Sequence, residues 1–596
     1  MELRGKKYKT SDIFRLPFRA APVFVVIKVV VAVLQATMPT VVTALATAFF
    51  VDTALAVFAD EMAASSIYLP LGVLIGVVGV GSVLGGFHNV IQARIKFGME
   101  RAFMPAFLDV RGGLSFKHIE DAASWELIER VSKKPMNTFL EGTQAYVTVV
   151  RCVVAIVAIL GLIMAHVWWA VPVIGAFSVP LFWIAFRAGQ KNYDAEVETR
   201  KFDRRYEYYT EVLTSREHVE ERTLFDYADH VNVGFTEQFE LARNKQFWVN
   251  VKMWVAMKSA SIAMGMIAIL IALTLINPVI SGYISPGTFM GILTAVFGMV
   301  ALMGWPLQEA TENISKSREY MKDLTAFVEL EQTEGAHDLP DAEPITFESM
   351  EFRNVRFKYP TGKEYILDAL SFRLEGGKHY AFVGANGAGK TTITKLLTGL
   401  YDEYEGEILI NGKELREYSQ SALKALFSVV YQDFARYQVS MADNIALGDA
   451  ARTVGADEVL NAAAKMELDE TIASLKDGIN TPLGKIAEGG ADLSGGQWQK
   501  VAIARSLISR APIKILDEPT AALDPIAESR IYQEFEGLMR DKTTIFISHR
   551  LGSTKLANEI LVIDAGRVTE RGSHDALMKI EGTYAQMFDA QRKWYE

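Results

Sequence analysis

The residues with the clearest chemical signature form a glycine-rich loop, Gly384-Ala385-Asn386-Gly387-Ala388-Gly389-Lys390-Thr391, between an apolar run and a helix-like run. Strand, glycine-rich loop and helix are the setting that the phosphate-binding pattern G-x-x-x-x-G-K-[ST] requires. The glycines let backbone N–H groups turn inward, and the following helix N-terminus adds partial positive charge. Lys390 is then the charge for the β- and γ-phosphates, the Thr391 hydroxyl is a Mg²⁺ ligand, and Thr392 belongs to the same nucleotide site.

Two adjacent carboxylates, Asp517 and Glu518, end a buried-type apolar run that begins at Ile513. A strand would deliver both to the end of a sheet, beside the glycine-rich loop. Asp517 is suited to hold Mg²⁺ or its water, and Glu518 to polarise the attacking water. Phosphoryl transfer is mostly positioning and charge stabilisation, so these few groups suffice.

Three more polar side chains occur at corresponding places along the chain. Gln432 ends a strand-like run and can reach both Mg²⁺ and the attacking water. His549 ends another and can donate to the γ-phosphate, while Tyr359 lies upstream of the loop and can stack on adenine. Each alone is an ordinary surface or core residue, but their order around the loop favours a nucleotide site.

A second glycine-containing stretch, Leu493-Ser494-Gly495-Gly496-Gln497, precedes another helix-like run. It predicts a second anion-binding helix N-terminus. One nucleotide does not need two such sites from one domain. Ser494, Gly495, Gly496 and Gln497 are therefore expected to cap the γ-phosphate of ATP held by a second copy, which requires a dimer of nucleotide domains.

The first half of the chain carries the elements of a membrane domain. Half of all 596 residues are hydrophobic. Each apolar run approaches or exceeds the ~20 residues that cross a bilayer as a helix. The six runs are Ala20–Phe50, Ile67–Ile91, Val147–Ala165, Val167–Phe186, Ser259–Ile276 and Phe289–Leu307. The basic N-terminus predicts that its side is the cytoplasm, and six crossings return the ATP site to that side.

The connections between the runs are unequal in length. Two long, charged and helix-like connections, Gln92–Tyr146 and Arg187–Lys258, are expected to continue the membrane helices into the cytoplasm. Their tips, near Phe116–Ser124 and Thr214–Glu221, are each able to contact another domain. The short connections are expected to lie outside.

A few polar side chains interrupt the apolar runs. Lys28 and Arg151 lie near the cytoplasmic ends of theirs, where extension of the charged group to the lipid headgroups is favoured over a substrate role. Gln35 and His88 are candidates for a substrate path. The single cysteine, Cys152, lies in an apolar run and allows neither an intrachain disulfide nor a cysteine metal cluster.

The second half changes to short strands alternating with helices, which predicts an α/β P-loop fold with an inserted helical lobe. The predicted fold class is therefore multi-domain: an all-α membrane domain over residues 1–330, a linker at 331–344 and a nucleotide-binding domain at 345–596. The strands are expected at Met350–Tyr359, Ala369–Leu374, His379–Val383, Glu407–Ile410, Phe427–Val430, Ile513–Leu516, Thr543–Ile547 and Ile560–Asp564. The net charge of −10 gives no general case for nucleic-acid binding.

In this order, the motifs from Tyr359 to His549 resemble the ATPase cassette of ATP-binding cassette (ABC) transporters, with Ala521–Asp524 as its D-loop. A six-helix membrane domain fused before the cassette is similar to exporter-type half-transporters. The resemblance implies ATP and Mg²⁺ as ligands, a second half-transporter (homodimer or heterodimer), and location in the cell membrane with the cassette in the cytoplasm. It also implies alternating access driven by ATP, with contacts to membrane lipids and to a translocated substrate, and none to nucleic acid.

Within that family, Tyr431–Gly448, Ser494–Lys500 and Ala521–Glu528 are most similar to nisin-type lantibiotic peptide exporters. Ala521 departs from the serine that many members have. The cargo is left open among a modified peptide, a lipid and an amphipathic drug. An importer that uses the exporter fold and an ATP-gated channel or regulator remain alternatives, whereas six apolar runs disfavour a soluble ATPase.

Overall fold

The computed structural model describes residues 3–165, 202–216, 218–302, 305–343, 345–486, 488–519, 542–547 and 553–593, with isolated positions between 168 and 199. The chain forms two compact units. The first unit contains Met1–Val110 and Glu126–Glu329, and the second contains Arg111–Trp125 and Leu330–Glu596. Most of the predicted run Val167–Phe186 lies outside the described residues, as do His549 and Ala521–Asp524.

The described part of the first unit is helical. Its helices are α1 (Asp12–Ala20), α2 (Pro22–Thr37), α3 (Thr43–Phe58), α4 (Tyr68–Gly112), α6 (Ala122–Ser132), α7 (Pro135–Met164), α8 (Val219–Phe225), α9 (Ala228–Ile280), α10 (Pro286–Leu302) and α11 (Trp305–Val328). The short helix α5 (Phe116–Glu120) belongs to the second unit, and α4 and α6 cross the boundary between the units.

Three helical stretches of the described residues are long and apolar enough to cross a membrane: Pro22–Phe58, Ala64–Gly112 and Pro135–Met164. The predicted runs that begin at Ala20, Ile67 and Val147 fall largely in these stretches. The fifth and sixth runs fall in the regions of two shorter apolar helices, Ala268–Ile280 and Pro286–Met299. A π-helical turn at Met38–Val42 interrupts the first stretch around Pro39, which has no N–H for the helical ladder.

Two of these helices are joined at their ends by a carboxylate. Asp52, on α3, accepts hydrogen bonds from the Ser285 hydroxyl (2.6 Å) and from the Gly287 N–H (2.7 Å) at the start of α10. The backbones also approach closely, because a Cβ at Gly287 would lie 2.1 Å from the Ala48 carbonyl oxygen. Asp52 thus satisfies N-terminal groups of α10 that have no partner within that helix.

The long helices extend well beyond the apolar runs, as predicted. Helix α4 has 45 residues and α9 has 53. At ~1.5 Å per residue they span about 65 to 80 Å, far more than a bilayer. Buried rings join the polar ends of α4, α7 and α11: Phe103 lies 5.1 Å from Phe139, and Phe107 lies 5.1 Å from Phe327.

The second unit contains two sheets. Its strands are β1 (Ser349–Phe357), β2 (Leu367–Glu375), β3 (His379–Val383), β4 (Glu405–Ile410), β5 (Lys413–Glu414), β6 (Phe427–Val430), β7 (Ile513–Asp517), β8 (Thr543–Ile547), β9 (Glu559–Asp564) and β10 (Arg567–Gly572). One sheet has the order β2-β1-β4-β5 and is antiparallel. The other has the order β10-β9-β3-β8-β7-β6 and is parallel from β9 to β6.

Helices α12 (Lys390–Leu397), α13 (Gln420–Leu426), α14 (Met441–Ala446), α15 (Ala456–Lys465), α16 (Asp469–Ser474), α17 (Gly495–Ile508), α18 (His574–Ile580) and α19 (Thr583–Arg592) complete this unit. In the parallel sheet the carboxyl ends of β3, β6, β7 and β8 meet at one edge. The glycine-rich loop, Gln432 and the two carboxylates all follow these ends, as the sequence predicts.

Candidate nucleotide site

The glycine-rich loop leaves β3 and enters α12 with glycine at the positions that require it. Gly389 caps α12 with φ of +103°, and Gly387 has φ of +83°. Such angles are strained for residues with a Cβ. At Gly384 a Cβ would lie only 2.1 Å from the carbonyl oxygen of Ile563 on β9. The loop backbone is therefore free to curl at the N-terminus of α12, where its N–H groups are available to an anion.

Lys390 is folded into the loop that precedes it. Its Nζ donates hydrogen bonds to the carbonyl oxygens of Gly384 (2.7 Å) and Ala385 (2.9 Å), and the residue is only 7% exposed. Burial lowers the pKa of this ammonium, while Glu518 and Asp517 act in the opposite direction. The cation predicted to contact phosphate is thus already held at the loop.

The two residues predicted as metal ligands are neighbours in the fold. The Thr391 hydroxyl donates to Oδ2 of Asp517 across 3.4 Å. Asp517 is 2% exposed. Burial and the adjacent Glu518 raise the pKa of its carboxyl to about 6. Hydroxyl and carboxylate oxygens suit Mg²⁺, and a divalent cation here would relieve the charge that raises this pKa.

The backbone of Glu518 is held from two sides. Its N–H donates to the carbonyl oxygen of Ile547 on β8 (2.9 Å), and its own carbonyl accepts from Nε2 of Gln499 on α17 (3.3 Å). Glu518 has φ of +49°, a left-handed conformation unusual for a residue with a Cβ. Such strain persists only where surrounding contacts fix it, as they do at many active sites. The sequence predicts Glu518 but not its support by Gln499.

Tyr359 lies in a cluster of rings beside α12. Its ring packs edge-on against Phe357 (5.1 Å between centroids) and Tyr401 (5.5 Å). Its hydroxyl shares a 3.0 Å hydrogen bond with the hydroxyl of Thr392. Thr392, predicted as part of the nucleotide site, therefore positions the ring predicted to stack on adenine.

The second glycine-containing stretch does begin a helix. Ser494 caps α17: its hydroxyl accepts from the N–H of Gln497 (3.3 Å), and the Gln497 side chain accepts from the N–H of Ser494 (2.9 Å). This is a reciprocal capping box. The first turn of α17 then contains Gly495 and Gly496, which have no side chains to cover its N–H groups. Gln497 also donates to the Thr471 hydroxyl on α16 (3.1 Å), which fixes its orientation.

The remaining predicted residues divide into two cases. Gln432 is exposed in a turn that follows β6, at the same sheet edge as Asp517. Its neighbour Asp433 is close enough to contribute to the raised pKa of Asp517. His549 follows β8 but lies outside the described residues, so its role stays a prediction.

The part of the chain that carries the glycine-rich loop is also similar to proteins of a known family. Residues 367–521 match the family described as ABC transporter. The chain is 30% identical over 492 residues to the subtilin transport ATP-binding protein SpaT of Bacillus subtilis, covering 80% of this chain and 78% of that protein. The chain belongs to the ABC transporters. The transporter is also 31% identical over 520 residues to an ATP-dependent lipid A-core flippase of Aliivibrio fischeri, covering 86% of each chain.

A solved structure extends the likeness to the whole fold. The transporter matches a bacterial Atm1-family ABC exporter with ATP bound at a TM-score of 0.72 and 25% identity, over 96% of this chain and 99% of that one. These relatives place it among exporters that fuse membrane helices to an ATP-hydrolysing domain. The predicted family, fold class and ATPase activity are thereby confirmed.

The predicted tip at Phe116–Ser124 packs within the second unit of the transporter. Phe116 on α5 lies edge-on to Tyr401, with 5.7 Å between ring centroids. Lys117 donates to carboxylates of Glu331 and Glu403, both at 2.6 Å, and these bonds raise the pKa of its ammonium. The tip therefore contacts the ring cluster that holds Tyr359.

Glu120, at the end of α5, completes this contact. It accepts hydrogen bonds from Lys395 Nζ on α12 and from the Tyr401 hydroxyl. Burial and this carboxylate raise the pKa of Tyr401 above its usual range. Lys395 also lies over the Tyr359 ring, 5.2 Å from its centroid. The sequence pattern assigns no role to Glu120, Lys395 or Tyr401, because contacts between residues about 275 positions apart leave no local pattern.

Proposed function

We propose that the chain is one half of a dimeric exporter, in which two ATP·Mg²⁺ bound between two nucleotide-binding domains drive alternating access. One observation carries this proposal. The second unit holds two glycine-anchored helix N-termini, at Lys390 and at Gly495, and Lys390 lies beside the Thr391–Asp517 pair. The helix N-terminus at Gly495 therefore contacts the nucleotide bound to a partner domain.

The residues of the first N-terminus fit a bound nucleotide. Tyr359 stacks on adenine, Gly384–Gly389 surround the phosphates with N–H groups, and Lys390 neutralises the β- and γ-phosphates. Thr391, Asp517 and Gln432 hold Mg²⁺, which supplies charge stabilisation to the phosphoryl group when bound. The raised pKa of Asp517 supports this role, because burial and the adjacent Glu518 cause it and a bound divalent cation would offset both effects.

Hydrolysis then depends on groups that position and deprotonate water. The Glu518 carboxylate accepts a proton from the attacking water, Gln432 orients that water, and His549 donates to the γ-phosphate. Ser494, Gly495, Gly496 and Gln497 cap the γ-phosphate of the partner's ATP. The left-handed backbone of Glu518 supports its role, because two hydrogen bonds hold it at the carboxyl end of β7.

The partner is a second half-transporter, either another copy or a relative. An exposed apolar tip supports an interface, because on α8 Leu224 is 76% and Phe225 is 66% exposed. Exposed apolar patches are common at protein–protein interaction sites when they are contiguous. This tip adjoins the predicted Thr214–Glu221, of which residue 217 lies outside the described residues.

The transporter is placed in the cell membrane with its nucleotide-binding domain in the cytoplasm. The basic N-terminal segment, which includes Lys6, Lys7 and Lys9, supports this orientation. Residues 1–330 form the membrane domain, 331–344 the linker and 345–596 the nucleotide-binding domain. The cargo is an amphipathic molecule, because the names of the relatives refer to a peptide, subtilin, and to a lipid, lipid A-core.

The test is ATP hydrolysis by the full chain in lipid nanodiscs, compared with Glu518→Gln. The variant is expected to bind ATP like wild type and to hydrolyse it about 100-fold or more slowly, because the proton acceptor is lost. Glu343→Gln is the matched control, since Glu343 is exposed in the linker. It should keep the wild-type rate.

Wild-type turnover by Glu518→Gln would contradict the role of Glu518. A folded wild-type protein that binds ATP without hydrolysing it would contradict the homodimeric form. The missing subunit would then be sought by co-purification. ATPase activity regained on mixing would establish the heterodimer.

A further inference from the structure

Three basic residues on membrane helices of the first unit each have a buried side-chain nitrogen without a hydrogen-bond partner in the described part of the chain: Lys28 on α2, His88 on α4 and Arg151 on α7. Lys28 is only 1% exposed and shares the buried face of α2 with Val25 and Ala32. Its Nζ is buried and has no hydrogen-bond partner among the described residues. The same holds for Nδ1 of His88, whose ring also hydrogen-bonds to the Gln92 side chain, and for Nε of Arg151.

The expectation that Lys28 extends to the lipid headgroups is therefore wrong. A lysine that reaches the headgroups keeps its ammonium in contact with water. Here the ammonium points into the packed helices instead. Val25, Lys28, Ala32 and Ala36 recur at helical spacing, so the side chain lies on the face that α2 buries.

The register of the helices brings the three groups together. Gln35 on α2 donates to the carbonyl of Leu84 on α4 (3.0 Å). Lys28 lies seven residues before Gln35, and His88 four residues after Leu84. Because α2 and α4 belong to consecutive crossings, they run in opposite directions, and Lys28 and His88 then differ in height by only about 4 to 5 Å.

Arg151 joins the same group. Both Lys28 and Arg151 lie within electrostatic range of the His88 ring. Helices α2 and α7 pack against each other. Three basic groups from three helices thus lie in one region, with His88 close to the other two.

No carboxylate in the apolar segments can balance this charge. The sequence contains no Asp or Glu at residues 20–51, 62–99, 142–193 and 241–308. An unpaired cation in a membrane helix is costly, and such residues pair with another group or mark a substrate path. Because these segments contain no carboxylate, we expect a bound molecule to supply the anion.

We propose that Lys28, His88 and Arg151 form a binding site for the oxyanion, phosphate or carboxylate, of an amphipathic molecule within the membrane. The inference rests on the proposed function, because it specifies the chemistry of the cargo or of a lipid that accompanies it. Ammonium and guanidinium groups donate charge-assisted hydrogen bonds to such oxygens. The apolar walls of α2, α4 and α7 accommodate its hydrocarbon part.

The experiment compares thermal unfolding of the full chain in phosphatidylcholine nanodiscs and in nanodiscs with increasing phosphatidylglycerol. The wild type should gain stability as phosphatidylglycerol rises. Lys28→Met should be at least as stable as wild type in phosphatidylcholine, because it removes an unpaired buried charge. Its half-maximal response should need about fivefold more phosphatidylglycerol, or more, for the loss of one lysine contact.

Two further variants make the comparison specific. Lys28→Arg keeps the charge and should keep the response, whereas Arg151→Met should weaken it as Lys28→Met does. Lys258→Met is the matched control, because Lys258 is exposed on α9 at the edge of its apolar run. Equal loss in Lys258→Met would assign the response to general surface charge and overturn the proposal.

If Lys28 has only a structural role, Lys28→Met should be less stable than wild type in phosphatidylcholine and should keep the wild-type response to phosphatidylglycerol. That result would also overturn the proposal. Fluorescent phosphatidylglycerol in proteoliposomes distinguishes the two sources of the anion. ATP-dependent movement to the other leaflet identifies a cargo, and binding without movement identifies a resident lipid. If the wild type responds to phosphatidylglycerol but hydrolyses no ATP, either alone or with a co-purified subunit, the proposed function is contradicted and this inference still stands.

Discussion

Tyr359 shows how one side chain meets two requirements. Its ring face is predicted to stack on adenine, while its edge packs on Phe357 and Tyr401 and its hydroxyl bonds to Thr392. The Thr392 contact fixes the ring to the helix that begins at the phosphates. Base and phosphate recognition are therefore joined through a single hydroxyl pair.

We expect Tyr359→Ala to weaken ATP binding by about 5- to 150-fold, because base–aromatic stacking contributes ~1–3 kcal/mol. Tyr359→Phe should lose much less, since it keeps the ring. Affinity for GTP should fall as much as for ATP, because stacking does not read the base edge. Equilibrium nucleotide binding to the full chain measures all three.

Tyr365→Ala is the matched control, because Tyr365 is exposed and bonds to Glu405. If it weakened ATP binding as much as Tyr359→Ala does, the stacking role of Tyr359 would be refuted.

Among the elements, α17 depends on a buried lysine at its end. Lys514 on β7 is 2% exposed, and its Nζ donates to the carbonyl oxygens of Ser506 (2.8 Å) and Ser509 (2.6 Å). These carbonyls lie at the C-terminus of α17, where the helix has no internal donors. Burial, with a further contribution from Lys542, lowers the pKa of this ammonium to about 7, against the opposing effect of Asp449.

This lowered pKa predicts how stability depends on pH. In the unfolded chain Lys514 keeps its proton up to its ordinary pKa of 10.5, whereas the folded chain releases it near pH 7. The cost of burying the charge is therefore greatest below pH 7, and stability rises as pH increases from 7 to 10.5. From pH 7 to 9 the stability gained is about 2 kcal/mol.

Lys514→Met should remove this part of the pH dependence, which thermal unfolding of the full chain from pH 6 to 9 measures. Lys476→Met, at an exposed lysine on the same unit, should leave the slope as in wild type. An unchanged slope in Lys514→Met would show that Lys514 is not the titrating group.

The elements that carry the site were predictable because their polar residues follow apolar strands. Asp517, Glu518 and Gln432 all occur where a strand ends, and parallel strands place these ends at one edge. Strand β10 was missed, since its alternating charged residues give an edge strand no apolar run. The supports of the site were also missed: Gln499 under Glu518, and Glu120 at Lys395, are tertiary contacts without a sequence pattern.

For the whole molecule, the proposed dimer predicts that one complete site needs two chains. Lys390→Ala and Ser494→Ala should each abolish most ATPase activity as homodimers. In a mixed dimer, the Ser494→Ala chain supplies an intact Lys390 and the Lys390→Ala chain an intact Ser494. The intact Lys390 and the intact Ser494 then contact the same nucleotide, so the mixed dimer should regain ATPase activity at one of its two sites.

Co-expression with two affinity tags, followed by ATPase assay of the doubly purified dimer, measures this recovery. The double variant Lys390→Ala/Ser494→Ala, paired with itself, should stay inactive. Ser573→Ala removes a similar helix cap on α18 and should keep activity, which separates loss of a cap from loss of the phosphate contact. No recovery in the mixed dimer would mean that Ser494 serves the nucleotide of its own chain.

Gln499 couples the two nucleotide sites of the proposed dimer. Its side chain contacts the carbonyl of Glu518 in its own chain, while Ser494, five residues earlier on the same helix, is assigned to the nucleotide of the other chain. Because less than two helical turns separate the two residues, a shift of α17 at Ser494 must also move Gln499, and a shift at Gln499 must also move Ser494. The two ATP sites are therefore coupled, and a change at one nucleotide should alter the rate of hydrolysis at the other.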